Sequence, residues 1–203
     1  MTRIIAGSAR GRRLEVPAQG TRPTSDRVRE AMFSTLSSLL AEQGTPWGEI
    51  GVLDGYAGSG ALGLECLSRG AASVVLVERH PAAADVIRRN IRAVGIDGAR
   101  LVCSALRAAA ERQNSGSPCS LVLLDPPYEL AATTIAEELA LLDAGGWIDR
   151  AAIAVVERPR ADEASPFPPG WSRVRHRAYG DTVLWYGHRT SAPEAVDSDP
   201  GGQ

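Results

Sequence analysis

The sequence predicts an α/β protein with a doubly wound, mostly parallel sheet of seven strands. From residue 51 onward, short apolar runs alternate with segments whose apolar residues recur at helical spacing. This alternation is typical of βαβ units with helices on both faces of a sheet. Near the C-terminus, the runs 172–178 and 182–187 are separated by only three residues, Tyr179-Gly180-Asp181. That spacing predicts an antiparallel hairpin that closes the sheet.

The elements before the sheet begin at the N-terminus with two short runs, Thr2–Ile5 and Arg12–Val16, which flank a turn rich in glycine and arginine. They predict a small N-terminal β-hairpin. Helical spacing of apolar residues then predicts a helix from Ser25 to about Gln43, with a stop at Gly44 and Pro46. The parallel strands are expected at Gly51–Asp54, Ser73–Glu78, Arg100–Cys103, Leu121–Asp125 and Ile153–Glu157. The helices between them are expected near residues 60–69, 81–94, 105–113 and 130–142.

Charge is distributed unevenly along the chain. The formal net charge is -2, and all 22 basic residues are arginine. Residues 1–29 carry seven arginines against Glu15 and Asp26, a local balance of +5, whereas the last ten residues carry three carboxylates and no base. A basic arm on an otherwise acidic domain is typical of a protein that binds a polyanion.

Cysteine and histidine usage predicts no metal centre. Cys66, Cys103 and Cys119 form no CxxC pair, and the three histidines are widely dispersed. Free thiols are expected in the reducing cytoplasm. No apolar run approaches the roughly 20 residues that span a bilayer, and the N-terminus has no signal-peptide core. We therefore expect a cytoplasmic protein with no membrane partner.

A glycine-rich loop follows the first parallel strand in the segment V52-L-D-G-Y-A-G-S-G60-A-L-G63. Gly58, Gly60 and Gly63 match GxGxxG, and Glu78 lies 20 residues beyond Gly58, as in dinucleotide-binding folds. However, Asp54 ends the strand, and a carboxylate there would repel a pyrophosphate. The Asp54 carboxylate suits a ligand with an ammonium or sulfonium group, such as S-adenosylmethionine, whose ribose hydroxyls Glu78 could bind. A nicotinamide or flavin site is the alternative.

The tetrapeptide Asp125-Pro126-Pro127-Tyr128 follows a buried-looking strand, Leu121–Leu124. The two prolines fix the backbone and cannot donate hydrogen bonds, so the chain leaves the sheet rigidly at its carboxyl end. The site therefore offers a carboxylate, a carbonyl and an aromatic face. These groups suit a planar base with an exocyclic amine: Tyr128 can stack on the ring, and Asp125 and the Pro126 carbonyl can accept the amine hydrogens.

Both motifs resemble those of known methyltransferases. The segment D54-G-Y-A-G-S-G60 resembles motif I of class I S-adenosylmethionine-dependent methyltransferases, and Glu78 matches their acidic residue after the second strand. The resemblance implies a Rossmann-like fold and a cofactor site formed by Asp54, Tyr56, Gly58, Ser59, Gly60, Glu78 and Ser104. Ser104 stands where the family often has Asp or Asn. The sequence DPPY matches the (D/N)PP(Y/F) motif of enzymes that methylate exocyclic amines, which implies catalytic roles for Asp125, Pro126 and Tyr128.

Segments in the N-terminal half show which methyltransferase family the chain resembles. The segments R3-I-I-A-G7, R10-G-R-R-L14, R22-P-T-S-D-R-V-R-E-A-M-F33 and A57-G-S-G-A-L-G-L-E65 resemble the RsmD family, bacterial 16S ribosomal RNA guanine-966 N2-methyltransferases. The resemblance runs from about residue 2 to residue 187. It implies a monomer that acts on 16S rRNA in a 30S subunit or assembly intermediate, with RNA contacts from Arg10, Arg12, Arg13, Arg22 and Arg27. Tyr56 replaces the phenylalanine usual before the glycine loop.

The resulting domain organisation has three parts. Residues 1–24 are expected to form a basic RNA-binding hairpin, residues 25–189 the methyltransferase domain, and residues 190–203 a disordered acidic tail. Adenine-N6 methylation of DNA or RNA shares the tetrapeptide and is the second hypothesis, although 203 residues leave no room for a large DNA-recognition domain. A nucleotide- or nucleic-acid-binding protein without catalysis is the third. It would have no use for Asp125 and Tyr128 at the sheet edge.

Overall fold

A seven-stranded sheet organises the chain in the computed structural model, which describes residues 2–17 and 25–190. The helices are α1 (Asp26–Glu42), α2 (Ala61–Ser68), α3 (Pro81–Val94), α4 (Leu106–Ala110) and α5 (Ala132–Ala144), and a short 3₁₀ helix spans Trp47–Glu49. The strands are β1 (Thr2–Arg3), β2 (Arg13–Leu14), β3 (Gly51–Gly55), β4 (Ser73–Glu78), β5 (Ala99–Cys103), β6 (Cys119–Leu124), β7 (Ile148–Pro159), β8 (Trp171–Tyr179) and β9 (Thr182–Arg189).

The strand order is β5-β4-β3-β6-β7-β9-β8. Strands β3 to β7 are parallel, whereas β9 runs antiparallel to both β7 and β8. The predicted fold class is therefore confirmed, including the terminal antiparallel hairpin. The order reverses between β3 and β6, and ligands bind at the carboxyl ends of strands beside such a switch point.

Two apolar cores cover the two faces of the sheet. Alternate residues of each strand point to opposite faces, so a strand buried on both sides is apolar throughout. Leu121 and Leu123 of β6 enter the first core, with α1, α2 and α3, while Val122 and Leu124 enter the second, with α4 and α5. All four side chains are buried, which explains the unbroken apolar run in this strand.

Several element boundaries differ from the predicted ones. Strand β7 begins at Ile148 rather than Ile153, because Ile148 pairs with Cys119 before a bulge shifts the register. Strand β6 begins at Cys119 and ends at Leu124, one residue before Asp125. Helix α4 is shorter than predicted, and the 3₁₀ helix at Trp47–Glu49 was not predicted. Helix α1 begins after Ser25, whose hydroxyl accepts a hydrogen bond from Val28 N.

The N-terminal hairpin is confirmed, but its ladder is short. In the strand ladder only Thr2–Arg3 and Arg13–Leu14 pair. Ile4 N still donates to the Arg12 carbonyl, whereas Ile5 N and Ala6 N donate to Glu65 of α2. Ile4, Ala9 and Leu14 are buried in the first core, so the hairpin packs on the sheet domain rather than standing apart from it. Residues 191–203, most of the predicted acidic tail, lie outside the described residues. None of the helices in the described part has the length and apolar character required to cross a membrane.

Candidate active site

The carboxyl ends of β3, β4, β5 and β6 bring the predicted site residues to one edge of the sheet. Asp54 lies at the end of β3, Glu78 ends β4, Ser104 follows β5 and Asp125 follows β6. Gly55 pairs with Leu124, and Glu78 pairs with Cys103, so the four chain segments leave the sheet side by side. The glycine loop and the tetrapeptide, which are far apart in sequence, thus share this edge.

The glycine loop connects β3 to α2 through three residues with left-handed backbone angles. Their φ values are 67° for Tyr56, 55° for Gly58 and 78° for Gly60, the residue that precedes the first turn of α2. Glycine adopts such angles without strain, whereas Tyr56 does not. At Gly63, an added Cβ would lie 2.7 Å from Cγ2 of Val74, so the absence of a side chain lets α2 lie directly on β4.

Glu78 supports this loop from beneath. Its Oε2 accepts a hydrogen bond of 2.9 Å from Gly58 N, and its Oε1 accepts one of 2.8 Å from His80 N. The side chain is only 7% exposed. Because each carboxylate oxygen has two acceptor positions, one on each oxygen remains for neighbouring hydroxyls. These two acceptor positions and the glycines of the loop fit the ribose and adenosyl part of a nucleoside cofactor.

Asp54 lies deeper than expected for a residue that contacts a ligand directly. It is 1% exposed, and its Oδ2 accepts a hydrogen bond of 2.8 Å from Gly63 N in the first turn of α2. Burial, together with the nearby Glu78 carboxylate, raises the pKa of Asp54 to about 7. In this position Asp54 fixes the start of α2. Because its carboxyl group is buried, it can act on a cationic ligand only through its electrostatic field.

Tyr56 connects the glycine loop to α5. Its hydroxyl donates a hydrogen bond to Glu138, a residue that the sequence analysis missed because it looked like one polar position in an amphipathic helix. Burial raises the pKa of both groups. Ser104, predicted as a cofactor residue, is half-buried after β5. Its backbone N–H donates to the carbonyl of Glu78 at 3.0 Å, so it adjoins the residue that supports the glycine loop.

The tetrapeptide leaves β6 with Pro126 buried and Tyr128 exposed over 43% of its surface. The Tyr128 hydroxyl lies 3.5 Å from Oγ1 of Thr182, at the start of β9. The Pro127 carbonyl accepts a hydrogen bond from Leu130 N, which closes a turn after the two prolines. An aromatic ring is thereby presented to solvent at the sheet edge beside Asp125.

A buried arginine that the sequence analysis did not identify bonds to Leu130, the last residue of the turn after the two prolines. Arg158 of β7 is 1% exposed, and its Nη2 donates to the Leu130 carbonyl at 2.5 Å. Its Nε donates to Asp162 at 2.8 Å in an ion pair. Arg158 therefore ties the segment after the tetrapeptide to the loop that follows β7.

Comparison with known proteins agrees with this geometry. Residues 2–188 match the protein family described as Conserved hypothetical protein 95, the RsmD family. The chain belongs to this family. It is 35% identical over 198 residues to ribosomal RNA small subunit methyltransferase D of Escherichia coli K12, covering 97% of this chain and 94% of that protein. The corresponding Haemophilus influenzae protein is 33% identical, with 88% and 89% covered.

The fold is shared with a solved structure of a putative methyltransferase. The structure of the Escherichia coli protein yhhF has a TM-score of 0.77 to this chain at 34% identity, and the match covers 94% of this chain and 99% of that one. The resemblance to the RsmD family in the sequence is therefore confirmed, and the chain is a member of a methyltransferase family.

In this RsmD-family chain, the N-terminal hairpin is fixed to α2 by two side chains that the sequence analysis missed. The buried carboxylate of Glu65 accepts hydrogen bonds from Ile5 N at 2.7 Å and Ala6 N at 3.0 Å. The hydroxyl of Ser68 donates to the Ala6 carbonyl and accepts from Ala9 N. Gly7 passes so close that an added Cβ would overlap the Ser68 carbonyl.

Asn90 of α3 links the end of the hairpin to the glycine loop. Its Oδ1 accepts from Glu15 N at 2.9 Å, and its Nδ2 donates to the carbonyls of Glu15 and Ser59 at 3.0 and 2.8 Å. The side chain is buried. Ser59, predicted as a cofactor residue, is thus held through its backbone by the same amide that holds the basic extension.

The predicted RNA-binding arginines occupy different environments. Arg10, Arg12 and Arg13 are exposed, and Arg12 also donates to the Ala93 carbonyl at 2.9 Å. Arg27 is exposed on α1, and Arg22 lies outside the described residues. Arg29, counted in the local charge of +5, is 2% exposed and donates to Thr2, the Arg3 carbonyl and Asp26. It anchors the hairpin, so its charge adds little to the exposed basic surface.

Metal-ligating groups are scattered in the described part of the chain. No cluster of three or more His, Cys, Asp or Glu side chains that could hold a metal ion occurs there. Cys66 and Cys119 are buried, and Cys103 is exposed at the end of β5.

Proposed function

We propose that this chain transfers the methyl group of S-adenosylmethionine to the exocyclic N2 amine of a guanine in 16S rRNA. The expected target is guanine 966, in a 30S subunit or assembly intermediate in the cytoplasm, and the enzyme acts as a monomer. The observation that carries the proposal is the exposed Tyr128 ring beside Asp125, on the same sheet edge as the Glu78-supported glycine loop. The two relatives compared above are named as methyltransferases of small-subunit ribosomal RNA.

Cofactor binding is assigned to the glycine loop and its neighbours. The carboxylate of Glu78 would accept hydrogen bonds from the ribose hydroxyls, and Gly58, Ser59 and Gly60 would line the adenosyl group with backbone alone. Ser104 would adjoin the adenine, while Tyr56 and the buried Asp54 would lie toward the positively charged methionine end. When bound, S-adenosylmethionine supplies a methyl group on a positively charged sulfur.

Acceptor positioning is assigned to the tetrapeptide. Tyr128 would stack on the guanine, and base–aromatic stacking is worth about 1–3 kcal/mol. Asp125 and the Pro126 carbonyl would accept the two amine hydrogens and thereby fix the direction of the nitrogen lone pair. The Pro127 carbonyl is already used by Leu130 N, which leaves the Pro126 carbonyl as the proline acceptor of this pair.

The catalytic contribution of these residues is orientation and electrostatic stabilisation. Positive charge would develop on the amine nitrogen as its bond to the methyl carbon forms and the carbon–sulfur bond breaks, with that electron pair going to sulfur. The Asp125 carboxylate and the Pro126 carbonyl would stabilise that charge. The nitrogen becomes acidic once it is alkylated, so the surplus proton can leave without a strong general base. Guanine N2 lies on the Watson–Crick edge, and the base must therefore be unpaired or flipped before it reaches Tyr128.

The experiment compares small-subunit RNA from a strain that lacks the gene with RNA from the same strain carrying the wild-type gene or Asp125→Ala. Nucleoside analysis should show loss of one N2-methylguanosine and its return only with the wild type. Purified 30S particles from the deletion strain should then accept methyl groups at one guanine in vitro. Loss of N6-methyladenosine instead would favour the adenine hypothesis and contradict the proposal.

A further inference from the structure

The edge strand β8 carries an uncovered row of arginines. Arg173, Arg175 and Arg177, here called the β8 arginine row, are all exposed, and β8 contains no acidic residue. Among the described residues, none of the three has a carboxylate within ion-pair distance. Exposed arginines elsewhere in the chain do have such partners, as in Arg88–Asp85 and Arg107–Glu137. A cluster of unpaired cations in a chain of net charge -2 is therefore a local feature of this edge.

The row begins beside the tetrapeptide. In the β8–β9 ladder, Tyr179 pairs with Thr182 and Arg177 pairs with Leu184, and such directly opposed residues share a face. Thr182, whose hydroxyl lies 3.5 Å from that of Tyr128, is thus on the face that carries Arg177. Residues two apart along a strand are about 7 Å apart, so the row leads away from the Tyr128 edge in steps of that size.

A β-bulge separates Arg173 from Arg175 and Arg177 along β8. Ser172 pairs with His188 and Arg175 with Tyr186, so two residues, Arg173 and Val174, stand opposite Gly187 alone. Arg173 has a φ of 48°, an unfavourable angle for a side chain of this size. Bulges re-aim side chains. Burial lowers the pKa of His188, and the charges of Arg173 and Arg175 lower it further.

The row and the N-terminal hairpin lie on the same side of the sheet. Ile4 and Leu14 of the hairpin and Leu184 and Tyr186 of β9 belong to one core, over which α1 packs. The hairpin contacts α2 and α3, over the β3–β4 half of the sheet, while β8 is the opposite edge strand. Two basic surfaces therefore flank α1.

We propose that the β8 arginine row is a second contact surface for the RNA phosphate backbone, opposite the N-terminal hairpin across α1. This inference rests on the proposed function and adds a binding surface to it. RNA whose target base reaches Tyr128 would pass the β8–β9 turn and meet Arg177 first, then Arg175 and Arg173. Charge complementarity favours phosphate, because the row offers three cations and no acceptor carboxylate.

The test uses the full chain and 30S particles from a strain that lacks the gene. The variant replaces Arg173, Arg175 and Arg177 by Gln, and a second variant replaces them by Lys. The matched control replaces three exposed arginines elsewhere, Arg88, Arg112 and Arg150, by Gln. Affinity for the particles and methyl transfer are measured across salt concentrations, together with S-adenosylmethionine affinity and thermal melting.

We expect the Gln variant to bind the particles about tenfold or more weakly and to lower the slope of log affinity against log salt by roughly 2, since each lost phosphate contact removes about 0.7–0.9. The Lys variant should retain most of the slope, and all variants should keep their cofactor affinity. An unchanged slope in the Gln variant, with wild-type methyl transfer intact, would overturn the inference and leave the proposed function standing. If wild type transfers no methyl group to the particles, the proposed function itself fails.

Two other outcomes are also decisive. In some proteins the charges on an edge strand have one role, which is to prevent edge-to-edge pairing of sheets. Self-association of the Gln variant with unchanged RNA affinity would assign the row to that role and contradict the inference. The same test is repeated in a chain that ends at Thr190. If the Gln substitutions weaken RNA binding only when residues 191–203 are present, the partner of the row is the acidic tail rather than RNA.

Discussion

The carboxylate of Glu78, at the end of β4, accepts a 2.9 Å hydrogen bond from the backbone N–H of Gly58 in the loop after β3. This bond joins two residues that are 20 positions apart and holds the glycine loop by a group that must also bind the cofactor in the proposed function. The second oxygen of the same carboxylate holds His80 N. Glu78 therefore holds the loop in place, and in the proposed function it also contacts the ligand.

Glu78→Ala should weaken S-adenosylmethionine binding by about tenfold or more, because it leaves two backbone N–H groups and two ribose hydroxyls without an acceptor in a largely buried site. Glu78→Gln should lose less affinity for S-adenosylmethionine, since the one oxygen of its amide can still accept hydrogen bonds. Titration calorimetry with S-adenosylmethionine and S-adenosylhomocysteine measures the effect, with the exposed Glu49→Ala as control. Unchanged affinity in Glu78→Ala would remove this residue from the cofactor site.

Asp125→Ala should abolish methyl transfer while cofactor affinity stays near that of wild type, because Asp125 positions the acceptor amine. Tyr128→Ala should lower the rate strongly and Tyr128→Phe only mildly, since stacking requires the ring. The Tyr128 hydroxyl makes one contact, at 3.5 Å from Oγ1 of Thr182, among the described residues. Single-turnover rates on 30S particles test both expectations. Equal damage from Tyr128→Phe and Tyr128→Ala would mean that the hydroxyl, and not the ring, is required.

The raised pKa of Asp54 predicts a pH dependence of stability. At pH values between the ordinary 3.8 and about 7, the folded protein keeps a proton that the unfolded chain has released. The folded state thus binds more protons, and this group makes the protein less stable as the pH rises through that window. Asp54→Asn has no such proton, so its stability relative to wild type should increase from about pH 4 to about pH 7.

The expected gain is about 1–4 kcal/mol in the free energy of unfolding, since one pKa unit corresponds to about 1.4 kcal/mol. Denaturant unfolding of both proteins at several pH values across that window measures it, and the exposed Asp85→Asn is the control. In Asp54→Asn the amide oxygen of the new side chain can still accept the hydrogen bond from Gly63 N. Parallel stability curves for wild type and Asp54→Asn would show that Asp54 titrates normally.

Replacing Arg10, Arg12 and Arg13 by Ala should weaken binding to 30S particles and flatten its salt dependence, with cofactor affinity retained. Arg12 also donates a hydrogen bond to the Ala93 carbonyl and so helps to hold the hairpin in place. A variant that keeps Arg12 is therefore the clearer test of charge. The double variant of Arg10 and Arg13 removes only exposed charge and should lower the salt slope by roughly 1.4–1.8. The pair Arg88→Ala and Arg150→Ala is the control. Equal slopes for wild type and the double variant would show that these arginines are merely solvated.

Local sequence signals determined the fold class and most of the candidate site. Apolar alternation predicted the β3–β7 sheet, since a strand buried on both faces has to be apolar throughout. The glycine loop was predicted to follow a strand, and the two prolines predicted that Asp125 lies at the carboxyl end of another. Parallel strands expose their carboxyl ends together, so these groups meet at one edge of the sheet. These inferences hold because each depends on a period or a backbone restriction that is encoded within a few residues.

Tertiary structure alone decided which polar side chains connect these parts. Arg10 and Arg29 belong to one arginine-rich segment, yet Arg10 is exposed while Arg29 is buried against Thr2 and Arg3. Glu65 and Asn90 hold backbone groups 60 and 75 residues away. No local period marks a helix residue whose partner lies at such a separation. Likewise, the row on β8 acquires a position beside Tyr128 only because β9 pairs with both β7 and β8, a choice made by long-range ladder hydrogen bonds.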